Sequence, residues 1–382
     1  MKLLYIANQR LPVEKAYGLQ VAKMGEAFAA FGLEVSLIAP TRKDPIKQDF
    51  FSFYSIERNF RFKKLFSPDF YLPGKLDSLA VVIKSFISAS VLAFYSVFRK
   101  ADLIYSRDEF PLYFLSFFKK NLVFEAHRFS KRRIFFYRRF KNKALKIVVI
   151  SKGLEKEFIN FGFNQKNVLI AHDGVDLKKF DLDLDKSQAR LKLDLPEDKK
   201  LVGYVGQLRT MGMEKGIDLA IKSLKSLPDD LDLILVGGSG EDIDFYKTLA
   251  EKENLAERVL FKGRISHDSI PLWLKAFDAL IMPFPFTKHY AFYMSPLKLF
   301  EYMASRRPIA ASDLPSVREI LDEKNSILFN PDDQVSLAEA VKKIFDSPDW
   351  AGKMADQAFE DVKNYTWQKR AEKILDFIIN KT

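Results

Sequence analysis

The chain contains no cysteine among its 382 residues and only four histidines, His127, His172, His267 and His289. Without cysteine there is no disulfide, no thiolate nucleophile and no cysteine-ligated zinc or iron–sulfur centre, which fits a reducing compartment. Four scattered histidines also argue against a histidine-rich metal centre. There is no low-complexity tract, and no repeat beyond a doubled strand–helix rhythm. The opening Met-Lys-Leu-Leu-Tyr-Ile-Ala-Asn enters a short apolar strand, too brief to read as a secretory signal. The Gly-rich strand end Val236-Gly-Gly-Ser-Gly240 lacks the spacing Gly-x-Gly-x-x-Gly, so a nicotinamide cofactor is poorly supported.

What is present is an ordinary globular balance, 48% hydrophobic and 29% charged, at a length that favours two domains. The net charge of +11 is uneven. Residues 1–180 hold 32 Lys/Arg against 16 Asp/Glu, and the remainder holds 29 against 34. Such asymmetry points to an anionic partner for the first half: a membrane face, a phosphorylated acceptor or nucleic acid. No nucleic-acid module is visible, so nucleic acid is not expected as a partner. Lys131 to Lys146 carries eight cations, no acid and several aromatics, and Leu79 to Phe98 is apolar apart from Lys84 and a few serines. The latter is long enough to span a bilayer. Interrupted by charge inside a continuing α/β pattern, it reads better as an interfacial, acceptor-facing or core helix.

Apolar runs predict strands at 3–7, 35–39, 102–105, 121–125, 146–150 and 168–171, with a helix over Gln20 to Phe31. The rhythm restarts with strands near 201–205, 231–236, 258–261, 278–282 and 308–311. Two successive α/β runs imply two doubly wound domains, with ligand at the C-terminal strand ends. The polar stretch 181–198 reads as the linker, and an amphipathic helix with Trp367, Ala371, Ile374, Leu375 and Ile378 on one face closes the chain.

Ser295-Pro296 reads as an N-cap and first helical residue, so that the free N–H groups of a helix toward Ser305 form an anion site. Lys298 in its first turn opposes the helix dipole unless an anion is bound. An ordinary capped helix with solvated charges fits the spacing equally well. Gly206 ends a strand and leads through a basic loop, with Arg209 and Lys215, into a helix near Gly216; phosphate contact and a plain loop are both open. His127, just past the strand Leu122-Val-Phe-Glu125, is by itself more often a structural group than a ligand contact.

Taken in order, these landmarks resemble the GT-B glycosyltransferases of family 4, the retaining group 1. The resemblance runs through the Gly18 loop, Phe-Glu-Ala-His127, Ile-Val-Val-Ile-Ser151, His-Asp173-Gly-Val-Asp176 and the Gly206…Lys215-Gly216 loop. It continues through Phe-Lys-Gly263-Arg264-Ile265, Ser295-Pro-Leu-Lys298-Leu-Phe-Glu301 and Tyr-Thr-Trp367. It implies two Rossmann-like domains facing a cleft: residues 1–180 for the acceptor, joined by a C-terminal helix at about 362–382, and residues 181–361 for the donor. By that resemblance Lys215 binds the donor diphosphate; the family's assisting basic position is Gln207 here, with Arg209 nearby. Glu301 contacts the ribose, Ser295, Leu297 and Lys298 cap the diphosphate, and Gly263, Arg264 and Ile265 meet the base. Gly206 lets phosphate approach, His127 lies beside the transferred sugar, and Gly18 lets its loop approach donor and acceptor. The implied partners are a nucleoside-diphosphate sugar and a hydroxyl acceptor, lipid-linked or anionic, at the cytoplasmic face of a membrane; neither metal nor other cofactor is expected. One departure stands out: the first acid of the family's Glu-x7-Glu motif is Tyr293 here. A nucleotide-sugar 2-epimerase and a catalytically weak membrane partner of the same fold are the alternatives.

Overall fold

The computed structural model describes residues 1–379 apart from 44, 75, 76 and 211. It divides into two compact units, residues 1–172 with the segment from Trp367 onward, and residues 173–366.

In the first unit, apolar strands alternate with amphipathic helices: β1 (Lys2–Ile6), α1 (Ala16–Ala30), β2 (Glu34–Pro40), the short α2 (Phe50–Tyr54), β3 (Arg61–Leu65), α3 (Asp77–Val97) and β4 (Leu103–Ser106). Then come α4 (Glu109–Leu115), β5 (Leu122–Ala126), α5 (Ile134–Asn142), β6 (Lys146–Val149), α6 (Lys152–Asn160) and β7 (Val168–Ile170). Among the described residues the strands form one parallel sheet, ordered β3-β2-β1-β4-β5-β6-β7. Central strands are buried on both faces, as parallel sheets covered by helices require. β3 escapes sequence reading because Arg-Phe-Lys-Lys-Leu is polar, the composition that protects an exposed edge.

The second unit opens with α7 (Lys186–Leu193), β8 (Lys200–Val205), a hairpin of β9 (Arg209–Thr210) and β10 (Met213–Glu214), and α8 (Ile217–Ser223). It continues with β11 (Leu231–Val236), α9 (Gly240–Lys252), β12 (Val259–Phe261), α10 (Ile270–Ala276), β13 (Ala279–Met282), α11 (Lys288–Phe292) and α12 (Leu297–Ala304). β14 (Ile309–Ser312), β15 (Ile327–Phe329), α13 (Gln334–Asp346) and α14 (Pro348–Val362) complete it. Its main sheet is also parallel, ordered β12-β11-β8-β13-β14-β15. The last helix, α15 (Trp367–Ile379), returns to the first unit and packs on α1, with Trp367, Ala371, Ile374 and Leu375 buried. Burying each large apolar side chain of this kind contributes about 1.5–3 kcal/mol.

Two expectations about organisation need correction. Residues 181–198 are folded, not a linker: Asp185 and Gln188 close a capping box on α7, and the buried Arg190 donates to Asp278 at 2.6 Å and to the Ala276 carbonyl at 3.0 Å. The chain leaves the first unit at His172 and not at 180, because Val175 pairs in parallel with Thr366 and donates to the Tyr365 carbonyl inside the second unit. The return falls at Trp367 and not near 362, since Val362 is buried in the second unit's core.

α3, the apolar run of the sequence, buries only a seam of small and polar residues, Ala80, Lys84, Ser88, Ala89, Leu92, Ala93 and Ser96. Lys84 points inward, 3.3 Å from Asp69 and 3.8 Å from the centre of the Tyr71 ring. Leu79, Val81, Val82, Phe86 and Phe94 stay exposed.

Each sheet reverses its strand order once, between β1 and β4 and between β8 and β13. In open parallel sheets, helices depart to opposite faces at such a point and leave a crevice beyond the C-terminal strand ends.

Candidate functional site

At the end of β8, Gly206 adopts φ +140°, and its N–H donates to the Val236 carbonyl at 2.8 Å. A Cβ here would lie 2.8 Å from Lys298 Nζ and 3.0 Å from Cε, so only glycine lets that lysine cross the strand end. α12, which carries Lys298 and Glu301, is pinned to the same strand: the Val205 N–H donates to the Tyr302 hydroxyl at 2.8 Å.

Lys298 is half-buried as a residue while its amine is sealed from solvent, the reverse of the usual snorkelling. Nζ makes no hydrogen bond among the described residues and sits 3.5 Å from the centre of the Tyr204 ring. Burial and the neighbouring Lys215 charge hold its pKa well below the ordinary lysine value, against the pull of Glu301. Lys215 is lowered by burial to about 8, with Asp242 opposing; its charge also helps lower the His289 imidazole, after burial. Two partly dehydrated lysine side chains thus lie within electrostatic reach of one another. A bound anion would relieve both the desolvation and the mutual repulsion.

Arg209 is engaged elsewhere. It pairs with Glu214 across the β9–β10 hairpin, Nε donating at 2.8 Å, and stacks 4.0 Å from the centre of the Phe245 ring. The lysine on which the Lys215 charge acts is Lys298.

Ser295 does not cap α12. Its hydroxyl accepts the Asp173 N–H at 2.9 Å, the cap position is Pro296, and Leu297 is the first helical residue. The start moves on by one residue because the serine is taken by the chain entering the second unit. No side chain caps the helix, which leaves the half-buried Leu297 and Lys298 in its first turn with N–H groups of the kind that bind anions.

Glu301 is buried and accepts from His267 Nε2 at 2.8 Å. His267 Nδ1 is buried without a hydrogen bond among the described residues. Sequence reading missed His267; its place two residues beyond Gly263-Arg264-Ile265 was the available signal. Gly263 takes φ +59° and its carbonyl accepts the Gly237 N–H at 2.6 Å. Arg264 is exposed, and Ile265 packs on the core. Tyr293 ends α11 half-buried, with the Lys288 ammonium 5.4 Å from its ring centre.

The first unit holds His127 and Gly18. His127 Nε2 lies 2.6 Å from Oε1 of the fully buried Glu125. That carboxylate also receives Gln20 of α1, Tyr105 of β4 and Arg370 of α15. Gly18 sits in the first turn of α1, not in a loop, and a side chain there would overlap the Tyr54 hydroxyl, which accepts from the Val13 N–H and donates to the Val13 carbonyl. Its place is explained by this close packing.

Residues 185–361 match the model of glycosyl transferases group 1, and residues 18–179 match glycosyltransferase family 4. The lipopolysaccharide core biosynthesis mannosyltransferase LpsB of Rhizobium meliloti (strain 1021) is 28% identical over 67% of this chain and 71% of its own length. Among solved structures, the sucrose-phosphate synthase of Thermosynechococcus elongatus aligns at TM-score 0.76, with 20% identity over 98% of this chain and 97% of that one. Anabaena Alr3699/HepE in complex with UDP aligns at 0.73, with 18% identity over 99% and 100%.

Proposed function

The chain belongs to the group 1, family 4 glycosyltransferases of GT-B fold, and on that premise we propose that it moves a sugar from a nucleoside-diphosphate donor to a hydroxyl acceptor, with retention of anomeric configuration. The LpsB resemblance directs attention to lipopolysaccharide or other polysaccharide and glycolipid acceptors. One observation carries the donor assignment: the sealed Lys298 amine at the strand end of Gly206, over the Tyr204 ring and within reach of the Lys215 charge, with no hydrogen bond among the described residues. A diphosphate supplies the charge that such a pair lacks.

In this reading Lys215, Lys298 and the first-turn amides of α12 take up the charge that develops on the leaving diphosphate, preorganised before the bond breaks. Because ammoniums and amides do this, no metal is required of the reaction. Glu301, oriented by His267, receives the ribose hydroxyls; the Gly263–Ile265 turn meets the base; His127 serves the transferred sugar. With Tyr293 in place of an acid, the sugar hydroxyls are held by backbone or by another side chain. Because Anabaena HepE was crystallised with UDP, a uridine donor is the first to test.

We infer further that the acceptor lies at the cytoplasmic face of a membrane, with the enzyme peripheral to it. The support is the outer face of α3, with Leu79, Val82, Phe86 and Phe94 exposed, and Phe66, Phe98, Phe117 and Phe118 exposed on the same unit. Arg99, Lys100, Lys119 and Lys120 stand beside these in sequence, a combination suited to anionic lipid.

The test is a panel of UDP-, GDP-, ADP- and CMP-sugars, read first by thermal shift and then by transfer to lipid-linked acceptors. One donor is expected to stabilise the protein and to yield a product of retained configuration by proton NMR. Stabilisation by none of them, or full turnover by a Lys215→Ala variant, refutes the assignment.

A further inference from the structure

Glu125 is a buried charge that the donor site does not use. It lies near the end of β5, an interior strand, and is fully enclosed. Four side chains converge on its carboxylate: Gln20 at 2.5 Å, His127 at 2.6 Å, Arg370 at 2.8 Å and the Tyr105 hydroxyl. Gln20 is itself held by Arg107 at 2.7 Å, and Arg370 donates to the His172 carbonyl at 2.9 Å. Burial alone would raise the Glu125 pKa; Arg370, His127 and Arg107 outweigh it and hold the group well below the ordinary carboxylate range.

An ionised carboxylate only accepts hydrogen bonds, so the His127 Nε2 facing it must carry hydrogen. When the ring is neutral its lone pair is then on Nδ1. His172 is set the opposite way: its Nδ1 faces the Ile150 carbonyl at 2.9 Å and must donate. Glu125 and His127 are two residues apart across a strand end, where the pleat turns alternate side chains to one face. A plain structural ion pair between strand and returning helix would need only Arg370.

We propose that Glu125 is a positioning residue for sugar transfer, fixing His127 in one orientation as the Nε2–H tautomer, with Arg370 of the C-terminal helix holding Glu125 in place. This rests on the assignment of His127 to the transferred sugar. The inverted tautomer would present a donor where a lone pair is set, and the sugar hydroxyl it meets would have to turn.

With four histidines in the chain, imidazole ¹⁵N spectra of the full-length protein can be read ring by ring. His127 is expected as Nε2–H and His172 as Nδ1–H in the wild type. Glu125→Gln keeps the shape and loses the charge; it is expected to redistribute His127 between tautomers and to lower kcat about tenfold or more, with donor KM within about twofold. Wild-type His127 in the Nδ1–H form overturns the proposal without any variant, so poor folding of Glu125→Gln does not shield it. An unchanged tautomer and kcat in that variant overturn it as well. A His127→Gln enzyme at wild-type rate refutes instead the assignment of His127 to the sugar, whatever the tautomer measured.

Discussion

Lys298 is a residue whose folded position makes sense only with something bound. Its amine is sealed and makes no hydrogen bond among the described residues, a costly state for a cation. Lys298→Met is therefore expected to stabilise the ligand-free protein by about 1 kcal/mol or more, seen as a melting point about 2–4 °C higher, while weakening nucleoside-diphosphate binding about a hundredfold. Lower stability together with intact binding would contradict this. Lys215 adds a pH signature. With its pKa lowered to about 8 it is charged below that pH and loses its proton above it. Diphosphate affinity is expected to be flat from pH 6 to 7 and to fall toward about tenfold per unit above pH 8, as titration calorimetry would report. Lys215, Glu301 and His127 could be singled out in the sequence because each stands in a short local motif. Glu125 and Arg370 were not: their partnership spans 245 positions and exists only once α15 returns. His267 was hidden in the same way, 34 positions from Glu301.

Among the elements, most strands could be read from apolar runs, since a strand covered on both faces has no polar side to show. The exceptions have physical causes. β3 is a charged edge, and α7 is anchored by the buried Arg190, whose partner Asp278 lies far along the chain. α12 was legible as a helix but not in its start, because Ser295 turns to Asp173. Two variants probe the elements that hold the sites. Gly206→Ala puts a side chain at φ +140° against Lys298 and is expected to cost about 1–3 kcal/mol in chemical unfolding and to reduce diphosphate affinity. Arg370→Ala strands the Glu125 charge and is expected to cost about 3–5 kcal/mol. Wild-type unfolding midpoints would show that neither element depends on these contacts.

For the whole molecule, the charge split read from the sequence goes with the division into units: the basic half carries the exposed apolar face of α3. The enzyme is expected to sediment with vesicles containing anionic lipid, to bind less as salt rises, and to lose binding when Val82 and Phe86 are both changed to Glu. Equal binding to neutral vesicles, or binding untouched by the double change, would remove the membrane assignment and leave the donor site unaffected. That site is tested most directly by titrating one nucleoside as its monophosphate and as its diphosphate into wild-type and Lys298→Met protein at pH 7. The wild type is expected to prefer the diphosphate by about a hundredfold or more, and the variant to lose that preference. Equal affinity for the two nucleotides, or a preference that survives without the Lys298 ammonium, would contradict the account.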